Sequence, residues 1–317
     1  MQRVSVALSL HRPEMLPLIA ERMQQHEAIF LEEPATPGFD QMIRGELSVD
    51  DYLLPVDVEY PKFSCEMCLM LRGLHAAGKM IYQVEPFIES LLQIHEFFAE
   101  GRRPADLDPG SIHVHVYRAE RAATGTLLDY YQNAAAGSFE KATEAVIRFA
   151  RADAARFRLR DSLRAQALSA LIPRHGSSYI ETGLIHYQLW RLLWGHLRAR
   201  AEVRPVFLAD AALKKWGEKG HFYGPGDQLT LLYIFHPAFS QPELEKLLAA
   251  RSMIYSKILE KQELDGQDGT FPHLRDERTC IRAARGLSID DCRRLFPLIR
   301  RAGTLQARQI LARFRTG

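Results

Sequence analysis

The first thirty-four residues restrict the possible folds more than any other stretch. Val4-Ser5-Val6-Ala7-Leu8-Ser9-Leu10 is a short apolar run of β type, and it stops at His11. Arg12-Pro13-Glu14 then opens a helix that carries Met15, Leu16, Leu18, Ile19 and Met23. Ala28-Ile29-Phe30-Leu31 is a second apolar run, ending on Glu32-Glu33-Pro34. Strand, helix and strand in this order predict a βαβ unit and a parallel sheet. Ligands of such sheets sit beyond the carboxyl ends of the strands. His11 and Glu32/Glu33 each fall just past a strand end, on the same edge.

The pattern recurs. Met80 to Val84 predicts a third strand that ends on Glu85-Pro86. Ser177 to Thr182 predicts a fourth, which carries Glu181 and leads through Gly183 to His186. Pro205 to Ala209 predicts a last strand, and residues 112–117 suit either a strand or a helix start. The fold class expected is α/β: a mixed, largely parallel central sheet in two α/β halves, with an inserted helical segment and a helical C-terminal extension. The core would span 1–226, with halves at about 1–117 and 172–226. The insertion, about 118–171, breaks at Gly137 and serves as a lid or a packing layer. Gly217 to Gly226 reads as loop. Residues 227–317 read as helical, with breaks near Pro237, 266–269 and Gly303.

Charge and cysteine content bear on the partners. The 41 basic and 39 acidic side chains leave a net charge of +2, which gives no push toward nucleic acid or membrane. The basic residues lean toward the C-terminal half, as at Arg148 to Arg164 and Arg293 to Arg313, and on helices they read as a solvated face, so neither partner is expected. No apolar run reaches the roughly 18 residues of a membrane span. The N-terminal apolar run is too short for a secretory signal, so the cytoplasm is the expected compartment. Four cysteines do not make a disulfide framework in 317 residues. Cys65-Glu66-Met67-Cys68 lies inside a predicted helix of apolar periodicity and reads as buried thiols, since a structural zinc would want a second pair.

The chemistry-bearing set is His11, Glu32, Glu33, Glu85, Glu181 and His186, all at or beside predicted strand ends. Histidine and carboxylate together ligate a hydrolytic divalent metal or form a general acid/base pair. Several carboxylates on one edge are costly without a cation, an arginine or a shared proton. The bland reading makes each a solvated loop acid, with the prolines merely ending strands. Gly183 permits the tight corner before His186. Arg158 and Arg160, beside Asp161, could neutralise the acids or hold an oxyanion, or form a surface ion pair. His113 and His115 would share a face if their segment were a strand.

The order strand, His11, helix, strand, Glu32-Glu33, then Arg160-Asp161 in a helix, a strand and Gly183-Leu184-Ile185-His186 resembles a known superfamily. It joins erythromycin esterase-like proteins, ChaN-like haem-uptake lipoproteins and the TraB/Tiki proteins. The resemblance covers about residues 1–210. It implies two α/β halves around a mixed sheet, with His and Glu residues gathered at one edge. Tiki members are regarded as metal-dependent proteases, and esterase members use His and Glu to open a lactone. His11 would match the first histidine, Glu32 or Glu33 the acid after the second strand, Arg160 the arginine of the helix, and His186 the second histidine. This chain departs from the pattern at Leu8, where the family has glycine, and at Glu181, an added acid.

The expectation is a metal-assisted hydrolase of ester or peptide bonds, acting on a small-molecule or peptide substrate. His11, Glu33, Glu85, Glu181 and His186 would supply ligands for Mn, Co, Fe or Zn, or activate water directly, and Arg160 would stabilise the oxyanion. The rival expectation is a non-catalytic protein on the same fold that binds a small ligand such as haem, or a partner.

Overall fold

A computed structural model describes residues 2–215, 217, 222–264 and 270–316. Its strands are β1 (Gln2–Ser9), β2 (Ala28–Leu31), β3 (Met80–Gln83), β4 (Ser177–Gly183) and β5 (Ala201–Phe207). The helices before β4 are α1 (Leu16–Gln24), α2 (Phe39–Ile43), α3 (Val49–Leu53), α4 (Pro61–Ala76), α5 (Pro86–Ala99), α6 (Ile112–Ala136) and α7 (Phe139–Leu171). After it come α8 (Tyr187–Leu197), α9 (Leu208–Lys215), α10 (Pro225–Phe235), α11 (Pro242–Ile258), α12 (Pro272–Arg285), α13 (Ile289–Ile299) and α14 (Thr304–Thr316).

The chain divides into two compact units. The first comprises Met1–His113, Leu159–His221 and Gln262–Pro272; the second comprises Val114–Arg158, Phe222–Lys261 and His273–Gly317. The segment 118–171 is shared: its last residues, from Leu159, belong to the first unit.

The first unit is built on one five-stranded sheet of order β3-β2-β4-β1-β5. Every described pairing is parallel, so the mixed sheet expected from the sequence is parallel throughout. Parallel sheets need cover on both faces, and the strands show it. Val4, Val6, Ala7, Leu8 and all four residues of β2 are completely buried. Side chains alternate between faces along a strand. Val4 and Val6 therefore share one face, where they meet Phe30, Ile180, Leu168, Leu189 and Leu193. A whole buried side chain of this kind contributes about 1.5–3 kcal/mol.

One boundary differs from expectation, and one alternative left open is settled. The last strand is Ala201–Phe207, and Leu208 already begins α9. Among the described strands β5 is at the edge and pairs only with β1, so Pro205 fits inside it without breaking a ladder. Residues 112–117 form the start of α6, not a strand.

The second unit is helical. Its α10 begins at Pro225, so the Gly-rich stretch read as loop ends at Gly224, and residues 218–221 lie outside the described ones. The expected break at 266–269 lies there too. A further break at Gly286–Leu287 separates α12 from α13. Ser288 caps α13, accepting from the Asp291 amide at 3.1 Å. Among the described residues no helix is long and apolar enough to cross a membrane.

Candidate active site

Because the strands are parallel, their carboxyl ends share an edge. Ser9 of β1 pairs with Gly183 of β4, and Leu31 of β2 with Gln83 of β3. Pro13 turns the chain after His11, Pro34 after Glu32-Glu33 and Pro86 after Glu85, so each strand delivers its polar residues to that edge and stops. Glu181 sits within β4, opposite Ala7, two residues before its end. His186 lies at the N-terminal boundary of α8.

The deeper part of the cluster is an ion network. His186 Nδ1 lies 2.5 Å from Asp161 Oδ1, and its Nε2 lies 2.8 Å from Glu32 Oε1. Glu32 Oε1 also accepts from Arg160 Nη2 at 2.9 Å, and Oε2 accepts from the Gly183 amide at 2.7 Å. Glu85, wholly buried, faces Arg160 Nη2 at 3.1 Å and Arg164 Nε at 3.9 Å. Arg164 is itself completely buried and donates to the carbonyls of Val84 at 2.9 Å and Glu181 at 2.8 Å. Burial is the largest influence on His186 and disfavours its charge. The facing carboxylates of Glu32 and Asp161 outweigh it, and the imidazole rises to about 9. Burial likewise opposes the Glu32 carboxylate, but His186 and Arg160 hold it well below the usual carboxylate range.

The accessible part is smaller. His11 Nε2 lies 3.2 Å from Glu181 Oε1, and the His11 side chain is 38 % exposed against 5 % for Glu181. The ring stacks on Phe63 with centroids 5.4 Å apart. Burial works against the protonated His11, yet Glu181, Glu32 and Glu33 raise it above its ordinary value. Glu181 Oε2 is anchored by the Glu32 amide at 3.1 Å. Glu33 accepts from Gln83 Nε2 at 3.0 Å, and burial followed by the charge of Glu181 pushes its carboxyl above the usual range.

Of the residues singled out from the sequence, seven lie at this edge: His11, Glu32, Glu33, Glu85, Arg160, Glu181 and His186. Asp161 and Arg164 complete the set. They lie within four residues of Arg160 on one helix, and a run of arginine and aspartate in a helix carries the same signature as a solvated face. The deciding sign is that Ala165 and Leu168, beside them, are completely buried. Gln83 and Phe63 carried no signal. Arg158 is not part of the site: its Nη1 donates to the Tyr233 carbonyl at 2.7 Å in the second unit. His113 and His115 sit on α6, where residues two apart do not share a face. All four cysteines are free thiols, Cys68, Cys280 and Cys292 buried and Cys65 half-buried.

The resemblance implies a divalent metal, and the donor set does not fit one. Both nitrogens of His186 already face carboxylates, so neither is turned to an open position. Glu32 and Glu85 are taken by Arg160 and Arg164. Glu181 divides its oxygens between His11 and the Glu32 amide. Among the described residues no group of three or more His, Cys, Asp and Glu is arranged to hold a metal ion.

No protein-family model matches the chain, and no solved structure matches it. It is similar to an uncharacterized protein of Archaeoglobus fulgidus, 27% identical over 286 residues, which cover 90% of this chain and 94% of that one.

Proposed function

We propose that the chain is a hydrolase of ester or peptide bonds that works by histidine–carboxylate acid/base chemistry, as its likeness to erythromycin esterase-like and TraB/Tiki proteins suggests. The observation that carries this reading is the His11–Glu181 pair, in which a part-exposed imidazole is oriented by a nearly buried carboxylate at 3.2 Å. Neutral His11 takes a proton from water, the water oxygen attacks the carbonyl carbon, and the resulting imidazolium returns the proton to the leaving group. Glu181 stabilises that imidazolium. Glu33, whose carboxyl burial and Glu181 push above the usual range, would in its protonated form serve as a hydrogen-bond donor to the developing oxyanion. Arg160, already neutralised by Glu32 and Glu85, serves the scaffold instead of the oxyanion.

The test is a hydrolysis screen with acyl esters, lactones and short peptides, on wild type beside His11→Ala. Turnover that disappears in the variant while the fold persists supports the reading. Turnover equal in both, or absent from every substrate class, refutes it and leaves a ligand-binding role on the same fold.

A further inference from the structure

The near-zero net charge of the chain conceals a separation. The first unit carries 19 Lys and Arg against 26 Asp and Glu, a formal −7, and the second carries 22 against 13, a formal +9. Charge asymmetry between parts of a chain points to a polyanionic partner for the basic part. The expectation of no nucleic-acid partner rests on the whole-chain sum, which describes neither unit, and on reading the C-terminal arginines as a solvated face.

The excess is concentrated at the C-terminal end of the sequence. Residues 273–317 hold eleven arginines, no lysine and four acids. The acids of α12 are engaged: Asp276 pairs with Arg308 at 2.7 Å, and Glu277 accepts from Tyr255 Oη at 2.9 Å. Several arginines are pinned by main-chain carbonyls. Arg251 Nε donates to Leu287 O at 2.8 Å, and Arg315 Nη2 donates to Ala283 O at 2.7 Å. A carbonyl fixes a guanidinium in place without cancelling its charge. Arg294 lies over the Phe314 ring at 4.8 Å, and Arg285 is exposed at the last residue of α12. Among the described residues, Arg251, Arg285, Arg294 and Arg315 have no carboxylate within ion-pair distance; the Asp291 carboxyl, held by Ser288, feels Arg294 from farther off. Gly286 lets Arg315 lie close to the backbone, since a Cβ there would stand 3.3 Å from Arg315 Nη2.

We infer that the corner where α12 ends, bounded by Arg251, Arg285, Arg294 and Arg315, binds the phosphodiester backbone of a nucleic acid. Preorganised guanidinium groups match phosphate oxygens in a fork geometry that lysine lacks. A lipid surface asks for a face of large apolar anchors beside the cations; the three C-terminal helices expose Leu298 on α13 and Leu305 on α14 and none on α12, so the anchors are few beside eleven arginines. The contacts are to backbone, so binding is sequence-independent.

The test uses the full chain with a fluorescein-labelled duplex DNA of about 20 base pairs and a single-stranded RNA of about 20 nucleotides, read by anisotropy. Saturable binding to at least one is expected, weakening about 100-fold between roughly 50 and 200 mM salt for about four phosphate contacts. Arg285→Glu/Arg294→Glu is expected to lose at least about tenfold in affinity and to flatten the salt dependence. Arg198→Glu/Arg200→Glu in the first unit makes the same charge change and should leave affinity within about threefold. Thermal melting checks both folds, and Arg285→Gln/Arg294→Gln replaces the reversal if that variant unfolds. No binding at low salt overturns the inference. So does equal loss in both double variants, which would be a whole-molecule charge effect. Binding to phosphatidylserine vesicles, or self-association, without binding to either nucleic acid also overturns it.

Discussion

Asp161 and His186 lie 25 residues apart in sequence, and their side chains meet at 2.5 Å. The contact fixes which imidazole nitrogen faces α7, and so aims the other at Glu32. The ring is held as a cation between two carboxylates, in a place where its neutral form would take the imidazolium from Asp161 and leave Glu32 to Arg160 and Arg164.

Replacing His186 with alanine should therefore destabilise the chain strongly. Removing one partner from a buried ionic set costs about 3–5 kcal/mol, most of it the penalty on the charges left behind. Urea unfolding would show a loss of that size. A loss under about 1 kcal/mol would mean the network is not closed as described.

Stability should also fall on both sides of a pH plateau. His186 is raised from its ordinary value to about 9, so its contribution is complete below the unfolded value near 6.5 and is lost as pH rises through about 9. Glu32 is held well below its usual range, so its contribution is present above the unfolded value near 4.5 and is lost as pH falls toward the depressed one. The alkaline loss for His186 is worth about 3 kcal/mol. Melting temperature measured across pH should show the alkaline fall in wild type and not in His186→Gln.

His11 should matter to rate and little to stability. His11→Ala is expected to lower kcat/KM for the best substrate of the screen by about 10²–10⁴-fold, with melting nearly unchanged because the side chain is part-exposed. In Glu181→Gln the imidazole loses the carboxylate that raises it, so its pKa falls. Since the neutral form is the base, the acidic limb of the pH–rate profile should move to lower pH. An unmoved limb would remove His11 as the titrating group.

Protein purified without chelator or histidine tag should carry no stoichiometric Mn, Co, Fe or Zn by plasma mass spectrometry. A near-equimolar ion that disappears in His11→Ala/His186→Ala would restore the metal centre that the resemblance implies.

The edge was legible because its signals are local. His11, Glu32, Glu33 and Glu85 each stand between an apolar run and a proline, and a parallel sheet collects such ends together. The roles within the edge were not legible. Glu32 and Glu33 are adjacent in sequence, yet one is drawn down by His186 and Arg160 and the other is pushed up beside Glu181. That difference comes from alternation of side chains at a strand end and from a helix more than a hundred residues away. Arg158 and Arg160 looked equivalent, but two residues along a helix turn the side chain through about 200°, and the partners differ accordingly. The misplaced start of β5 has a local cause, since a proline at an edge reads like a boundary.

The strand order also dictates when this molecule can first exist. Among the described strands β1 has β4 and β5 as neighbours, and β2 has β3 and β4. A growing chain that has released its first hundred residues thus holds β1 with nothing to pair to and a β2–β3 ladder lacking its inner side. The slot between them is filled by residues 177–183, which also bring Glu181 and, shortly after, His186. During synthesis the sheet and the proposed site should close together as that segment leaves the ribosome, and shorter nascent chains should stay protease-sensitive and depend on chaperones.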